Sequence, residues 1–255
     1  MAKAHTSSLA ERFVSAWNAL EFHLANEWCE FHRPPNGRPP VAFQLISWAG
    51  EQRLITRDME TFLQHCRDLR NAFAHVCFDG YSGPVAFPPS QVVTRLEKIL
   101  RALRHPPEVG VVAAAAVTCS PDTSLREALK LMDRGDFSQL PYRHGDLGWL
   151  LVTRGQVGRW VEVRAKADGM AFIDLGVPVW MLAEDPDVGP VVPRCLDGGA
   201  TLASAVAAIE DALHRPDEKD GGYPLVLVTT KEGNAPVQVI DVADLPQAYR
   251  ELGLR

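Results

Sequence analysis

Leu9, Phe13, Trp17, Leu20, Leu24 and Trp28 recur at three- and four-residue spacing, which draws one apolar stripe along a helix. The stripe predicts a long first helix over about residues 7–31. That helix has to stop before Arg33-Pro34-Pro35-Asn36-Gly37-Arg38-Pro39-Pro40, because proline lacks the N–H that a helix interior uses. A short helix over residues 43–50 follows. Thr56 is placed to cap a third helix, with Met59, Phe62, Leu63, Cys66, Leu69 and Phe73 on its apolar side and its end near residue 75. Phe78-Asp79-Gly80 and residues 84–89 read as a second loop. Ser90 is placed to cap a fourth helix carrying Val93, Leu96, Leu100 and Leu103, and His105-Pro106-Pro107 ends it. A bundle of about four helices is the expectation for residues 1–105.

Beyond residue 105 the period changes. Residues 111–117 are a run of alanine and valine, followed by Thr118-Cys119-Ser120-Pro121-Asp122-Thr123. Ser124 and Glu127 have capping-box spacing and predict a helix over residues 125–134. Residues 137–142 and 148–152 read as short strands, and Thr153 begins another helix. A similar order then recurs. A strand is expected over residues 190–196, a helix over 201–214 and a strand over 222–228. A turn at Lys231-Glu232-Gly233-Asn234, a strand over 236–240 and a helix over 244–252 complete it. Two β-α-β-β-α units amount to an internal repeat of roughly 80 residues. The stretch 160–190 between them reads as a linker strand and loops. The expected fold class is α+β with two domains: an all-α helical bundle over 1–105 and a tandem pair over 106–255. Its first motif lies at about 109–165 and its second at about 185–252.

Charge and cysteines narrow the function classes. Residues 1–104 hold 12 basic and 10 acidic side chains, and residues 105–255 hold 14 and 22. The net charge of −6 therefore divides into +2 and −8. The acidic part argues against a broad nucleic-acid surface there, and the first part allows only a local contact. Cys29, Cys66, Cys77, Cys119 and Cys195 are scattered and form no C-x-x-C pair, so neither a disulfide framework nor a metal site is expected. No run of eighteen apolar residues occurs, and no basic-then-apolar signal pattern opens the chain. The expected location is cytoplasmic, with no membrane partner.

Arg70 and His75 lie five apart near the end of the third helix, on roughly the same side. Histidine titrates near neutral pH and serves as base or acid, while arginine offers phosphate a planar fork of fixed charge. Asn71 could orient His75 or a phosphate. Such a group suits cleavage of RNA without a metal. The structural alternative is an ion pair from Glu21 to Arg67 or Arg70. His23, His32 and His65 either support the site or sit at the surface, and Trp17, Trp28 and Trp48 read as core. Arg67-Asp68-Leu69-Arg70-Asn71-Ala72-Phe73-Ala74-His75 resembles the R-N-x-x-x-H signature of the HEPN family of small helical ribonucleases. The resemblance implies a composite catalytic site of Arg70, Asn71 and His75 from two subunits. It also implies an RNA substrate, a homodimer or higher homo-oligomer, no catalytic cofactor, and a toxin or antiviral-defence setting. Some related toxins carry a tyrosine where this chain has Cys77.

The second half resembles a pair of CBS motifs, a tandem module that often senses adenosine-containing ligands. The resemblance rests on Ser120-Pro121-Asp122-Thr123-Ser124-Leu125, on Phe137-Ser138-Gln139-Leu140-Pro141, on the strand-to-helix junction at 148–153, and on Tyr223-Pro224-Leu225-Val226. It implies a regulatory adenine nucleotide: ATP, ADP, AMP or a related adenosyl ligand. A carboxylate at the start of each motif's last helix would take the ribose hydroxyls, and a hydroxyl three residues earlier would meet phosphate. The first copy offers Thr153 and Gln156 at these places, and the second offers Asp241 and Asp244. Thr118 and Asp122 lie at the usual entrance to the adenine pocket of the first copy. At most one well-formed nucleotide site per chain is expected, with Asp244 as its best-supported residue. The combined reading is a metal-independent HEPN endoribonuclease gated by nucleotide. The alternative is a non-catalytic nucleotide-sensing adaptor whose helical domain dimerises and binds a partner.

Overall fold

The structure is a computed structural model that describes residues 8–32, 40–75, 88–168, 173–214, 223–230 and 235–254, without the side chains of 73–75, 146, 167, 168 and 237. In chain order the helices and strands begin with α1 (Leu9–Phe31), α2 (Ala42–Glu51), α3 (Arg57–His75), α4 (Ser90–Arg104) and β1 (Ala114–Ala115). Then come α5 (Leu125–Gly135), β2 (Gln139–His144), β3 (Gly148–Thr153), α6 (Arg154–Asp168) and α7 (Trp180–Glu184). The chain closes with β4 (Pro193–Asp197), α8 (Leu202–His214), β5 (Tyr223–Thr229), β6 (Pro236–Asp241) and α9 (Leu245–Glu251). A helical region is thus followed by two β-α-β-β-α units, as the change of period predicts. The expected loops at 33–39 and 78–87 and the turn at 231–234 lie outside the described residues.

Two compact units organise these elements. The first holds Met1–Val112, Gly199–Glu210 and Ala243–Arg255. The second holds Ala113–Gly198 and Asp211–Val242. Most of α8 and all of α9 therefore group with the four N-terminal helices, a partition of the chain different from a cut near residue 105.

In the first unit Phe13, Trp17, Leu20 and Leu24 of α1 are buried, as are Leu45 and Ile46 of α2, Met59 and Leu63 of α3 and Val93, Leu96 and Ile99 of α4. Local chemistry fixes the helix ends. Ser8 caps α1 through the Glu11 N–H, and the Glu11 carboxylate returns a bond to the Ser8 N–H. The Thr56 hydroxyl accepts from the Met59 N–H at the start of α3. The expected Ser90 cap is corrected: Ser90 is the first helical residue, and Pro89 takes the cap position without a side-chain bond. Proline arrives there with its φ already near the helical value. A bidentate ion pair joins Arg12 of α1 to Glu97 of α4 at 2.6–2.9 Å. Gly253, just past α9, has φ +73°, and a Cβ there would lie 2.7 Å from Lys98 Cβ of α4. Only glycine combines that backbone with that approach.

In the second unit one sheet runs β1-β6-β5-β4, with β4 and β5 parallel and the other pairs antiparallel. A hairpin of β2 and β3 stands beside α5, α6 and α7 over a core of Leu125, Met132, Leu140, Tyr142, Val152, Trp160 and Leu182. The apolar run at 111–117 yields only two strand residues, because Val109–Val111 turns as a 3₁₀ helix. The helix α7 falls where loops were expected, and it buries Leu182 and Ala183. No helix among the described residues is long and apolar enough to cross a membrane.

Candidate functional site

The two copies turn from strand into helix at equivalent places, and the side chains there do different things. At the end of β3, the Thr153 hydroxyl accepts from the Gln156 N–H at 3.0 Å. The Gln156 carbonyl oxygen accepts from the Thr153 N–H at 3.1 Å. This is a complete capping box. The remaining Gln156 amide donates to the Gly189 carbonyl at 2.9 Å, and both side chains are buried. The polar atoms that would meet a ribose and a phosphate are occupied inside the protein.

In the second copy Asp244 takes the N-cap position of α9, but its side chain makes no capping hydrogen bond. Pro246 lies inside the first turn of that helix, where its missing N–H costs nothing. Asp241, at the end of β6, accepts from Gln139 Nε2 of β2 at 3.2 Å. Tyr223 of β5 donates its hydroxyl to Gln139 Oε1 at 3.4 Å. Burial, with the Asp241 charge adding to it, pushes the Tyr223 phenol up. Gln139, Tyr223 and Asp241 thus join strands of both copies in one polar cluster. Sequence reading missed Gln139 and Tyr223 in this role, since neither spacing nor charge singles them out.

Thr118 and Asp122 are exposed on the segment between β1 and α5. The segment is fastened by the Cys119 N–H on the Pro141 carbonyl at 3.0 Å and by the Ser120 N–H on the Thr123 hydroxyl at 3.1 Å. The Asp122 N–H donates to the Ser120 hydroxyl at 3.3 Å. Burial pushes the neighbouring Cys119 thiol up to about 11, so it stays protonated.

At the end of α3 Arg70 is half-buried and Asn71 is exposed, while the His75 side chain lies outside the described residues, as does Cys77. The Arg67 charge is taken up on its own helix by Asp68, at 2.5 Å, and by Gln64 Oε1, at 2.9 Å. Its guanidinium also stands 5.3 Å from the centre of the Phe43 ring, so the proposed Glu21 partner is not the one it uses. Cavities in the first unit are lined by residues of α1, α4, α8 and the C-terminal segment and by Met59 at the start of α3. Among the described residues no group of histidine, cysteine and carboxylate side chains has the arrangement of a metal site.

No protein-family model matches the chain, and no curated protein matches it in sequence. Solved structures do show likeness. The CBS-pair protein CBSX2 of Arabidopsis thaliana is 16% identical, with 59% of this chain and 99% of that one covered and a TM-score of 0.39. CBSX2 in complex with AMP gives 15% identity, 57% and 98% coverage and a TM-score of 0.39. A CBS domain-containing protein of Kribbella flavida is 20% identical, with 55% and 95% covered and a TM-score of 0.40.

These findings correct the nuclease reading. No family model matches the chain, a HEPN model included. At the R-N-x-x-x-H letters Asn71 is solvent-exposed and Arg70 half-buried, and the His75 side chain lies outside the described residues. An acid–base centre needs its groups converging on one sheltered point. The chain is therefore not assigned as an endoribonuclease, toxin or antiviral effector.

Proposed function

We propose that the chain is a non-catalytic regulatory module that binds an adenine nucleotide through its tandem β-α-β-β-α pair. The helical region acts as an adaptor that forms a homodimer and receives a protein partner. The observation that carries this reading is the contrast at the two strand-to-helix junctions. Thr153 and Gln156 close a hydroxyl–amide capping box, whereas the second copy places a carboxylate, Asp244, at the N-cap position of α9. A carboxylate accepts two hydrogen bonds from a vicinal diol, which suits the ribose of AMP, ADP or ATP. On this reading the chain binds one nucleotide, with Asp244 on the ribose. Thr118 and Asp122 lie at the adenine pocket of the first copy, and Asp241 is held by Gln139. The sequence modules remain 1–105 and 106–255.

Calorimetric titration of the full chain with AMP, ADP and ATP tests the proposal. One equivalent per chain is expected. Asp244→Ala should weaken binding by at least about tenfold, the size of a lost charged hydrogen bond. Gln156→Ala should leave affinity unchanged. Saturation without heat for all three nucleotides, or equal affinity in Asp244→Ala, would sink the reading. Mass measurement in solution checks the dimer.

A further inference from the structure

The first compact unit contains a cavity of about 260 Å³. Its floor is apolar: Leu24 of α1, Met59 of α3 and Leu252 after α9 are each about 1% exposed. Four polar side chains also line it, one of them Thr201, whose hydroxyl accepts from the Ser204 N–H. His23 and Glu27 lie one turn apart on α1, and Arg104 closes α4. Among the described residues none of these three side chains makes a hydrogen bond or an ion pair. A carboxylate and a guanidinium thus border one small apolar chamber without neutralising each other. Opposite charges this placed attract a ligand that carries both signs, since each is then satisfied in a partly dry setting. At roughly 30 Å³ per water-sized group the chamber takes about eight or nine non-hydrogen atoms.

We propose that this cavity binds a free apolar α-amino acid of the size of leucine or methionine. Its ammonium group meets Glu27, its carboxylate meets Arg104, and its side chain enters the pocket over Leu24, Met59 and Leu252. His23 supplies a further hydrogen bond at the rim. None of the residues assigned to the nucleotide lines this cavity, so the two proposals stand or fall separately.

Calorimetry of the full chain with L-leucine and L-methionine is the test, beside N-acetyl-leucine, leucinamide and isoamyl alcohol. The amino acids should bind, and blocking either charged end should weaken binding by about tenfold or more. Glu27→Gln should weaken leucine but not N-acetyl-leucine, and Arg104→Gln should weaken leucine but not leucinamide. Glu27 is half-buried and Arg104 exposed, so both variants should keep the parental thermal midpoint. The proposal is overturned if no amino acid binds at saturating millimolar concentration. It is equally overturned if isoamyl alcohol binds as tightly as leucine, or if both folded variants bind leucine like the parent.

Discussion

The helices α5 and α8 hold the same place in the two copies and are built on opposite plans. In α5 only Leu125, Ala128 and Met132 are fully buried, while Arg126, Glu127, Lys130, Asp133 and Arg134 face solvent. In α8 Leu202, Ala203 and every residue from Ala205 to Glu210 are buried. A helix that is apolar all round needs cover all round, and one with a single apolar stripe needs one neighbour. The run Leu202-Ala203-Ser204-Ala205-Val206-Ala207-Ala208-Ile209 meets that demand with small side chains, which let other elements come close. The Leu202 N–H on the Pro107 carbonyl at 2.8 Å shows such an approach inside the first unit. A duplicated β-α-β-β-α motif has therefore kept its topology while one copy's helix became core for the N-terminal helices.

The sharpest way to break this comparison is to add a charge to α8 and take one from α5. Ala208→Lys should destabilise the chain by more than about 3 kcal/mol, because the ammonium has no partner in that interior. Lys130→Ala on the exposed face of α5 should stay within about 0.5 kcal/mol of the parent. Urea unfolding of both variants gives the answer. Similar losses would mean that the two helices are covered alike.

Glu210 offers a finer test. It is the one buried acid of α8, and its Oε1 accepts from the Tyr249 hydroxyl of α9 at 2.8 Å. Its Oε2 accepts from the Arg57 N–H at the first turn of α3, at 3.2 Å. There the carboxylate also meets the positive end of the α3 dipole. One side chain thus ties three helices of the first unit. Glu210→Ala should cost about 1–3 kcal/mol by taking the acceptor from two part-buried hydrogen bonds, and Tyr249→Phe about 0.5–1.5 kcal/mol. Thermal unfolding would contradict this role if Glu210→Ala were neutral.

The same contrast explains what could be read in the chain. The stripe of α1, the Thr56 cap and the Ser124–Glu127 box are local, encoded within a few residues, and each was legible. The sequence marks α8 as a helix, but not which elements cover it, since contacts such as Leu202 to Pro107 and Glu210 to Arg57 span more than 90 positions. Thr153 and Gln156 were read as ligand groups, although T-x-x-Q at a helix start is itself the capping-box pattern. The α3 motif failed for a related reason. Six letters specify which side chains share a helix face, but not whether anything sheltered lies in front of that face. Gln139 and Tyr223 became visible only when the strands were paired.

The smallest predicted effect separates two capping boxes within the first copy. Ser124–Glu127 starts α5 and Thr153–Gln156 starts α6, with the same exchange of hydrogen bonds. Removing the buried one by Thr153→Ala should cost about 1 kcal/mol at any pH, because glutamine does not titrate. The exposed one contains a carboxylate, and bonds from Ser124 hold Glu127 below its ordinary value of 4.5. A depressed carboxylate stabilises the fold above its unfolded value and loses that contribution as pH falls through the folded one. The parent should therefore lose stability more steeply below pH 4.5 than Glu127→Gln, which keeps a residue able to close the box. Above that range the two chains should have flat, parallel stability profiles. Parallel profiles through the acid range as well would show that the Ser124–Glu127 bonds are too solvent-exposed to hold the start of α5.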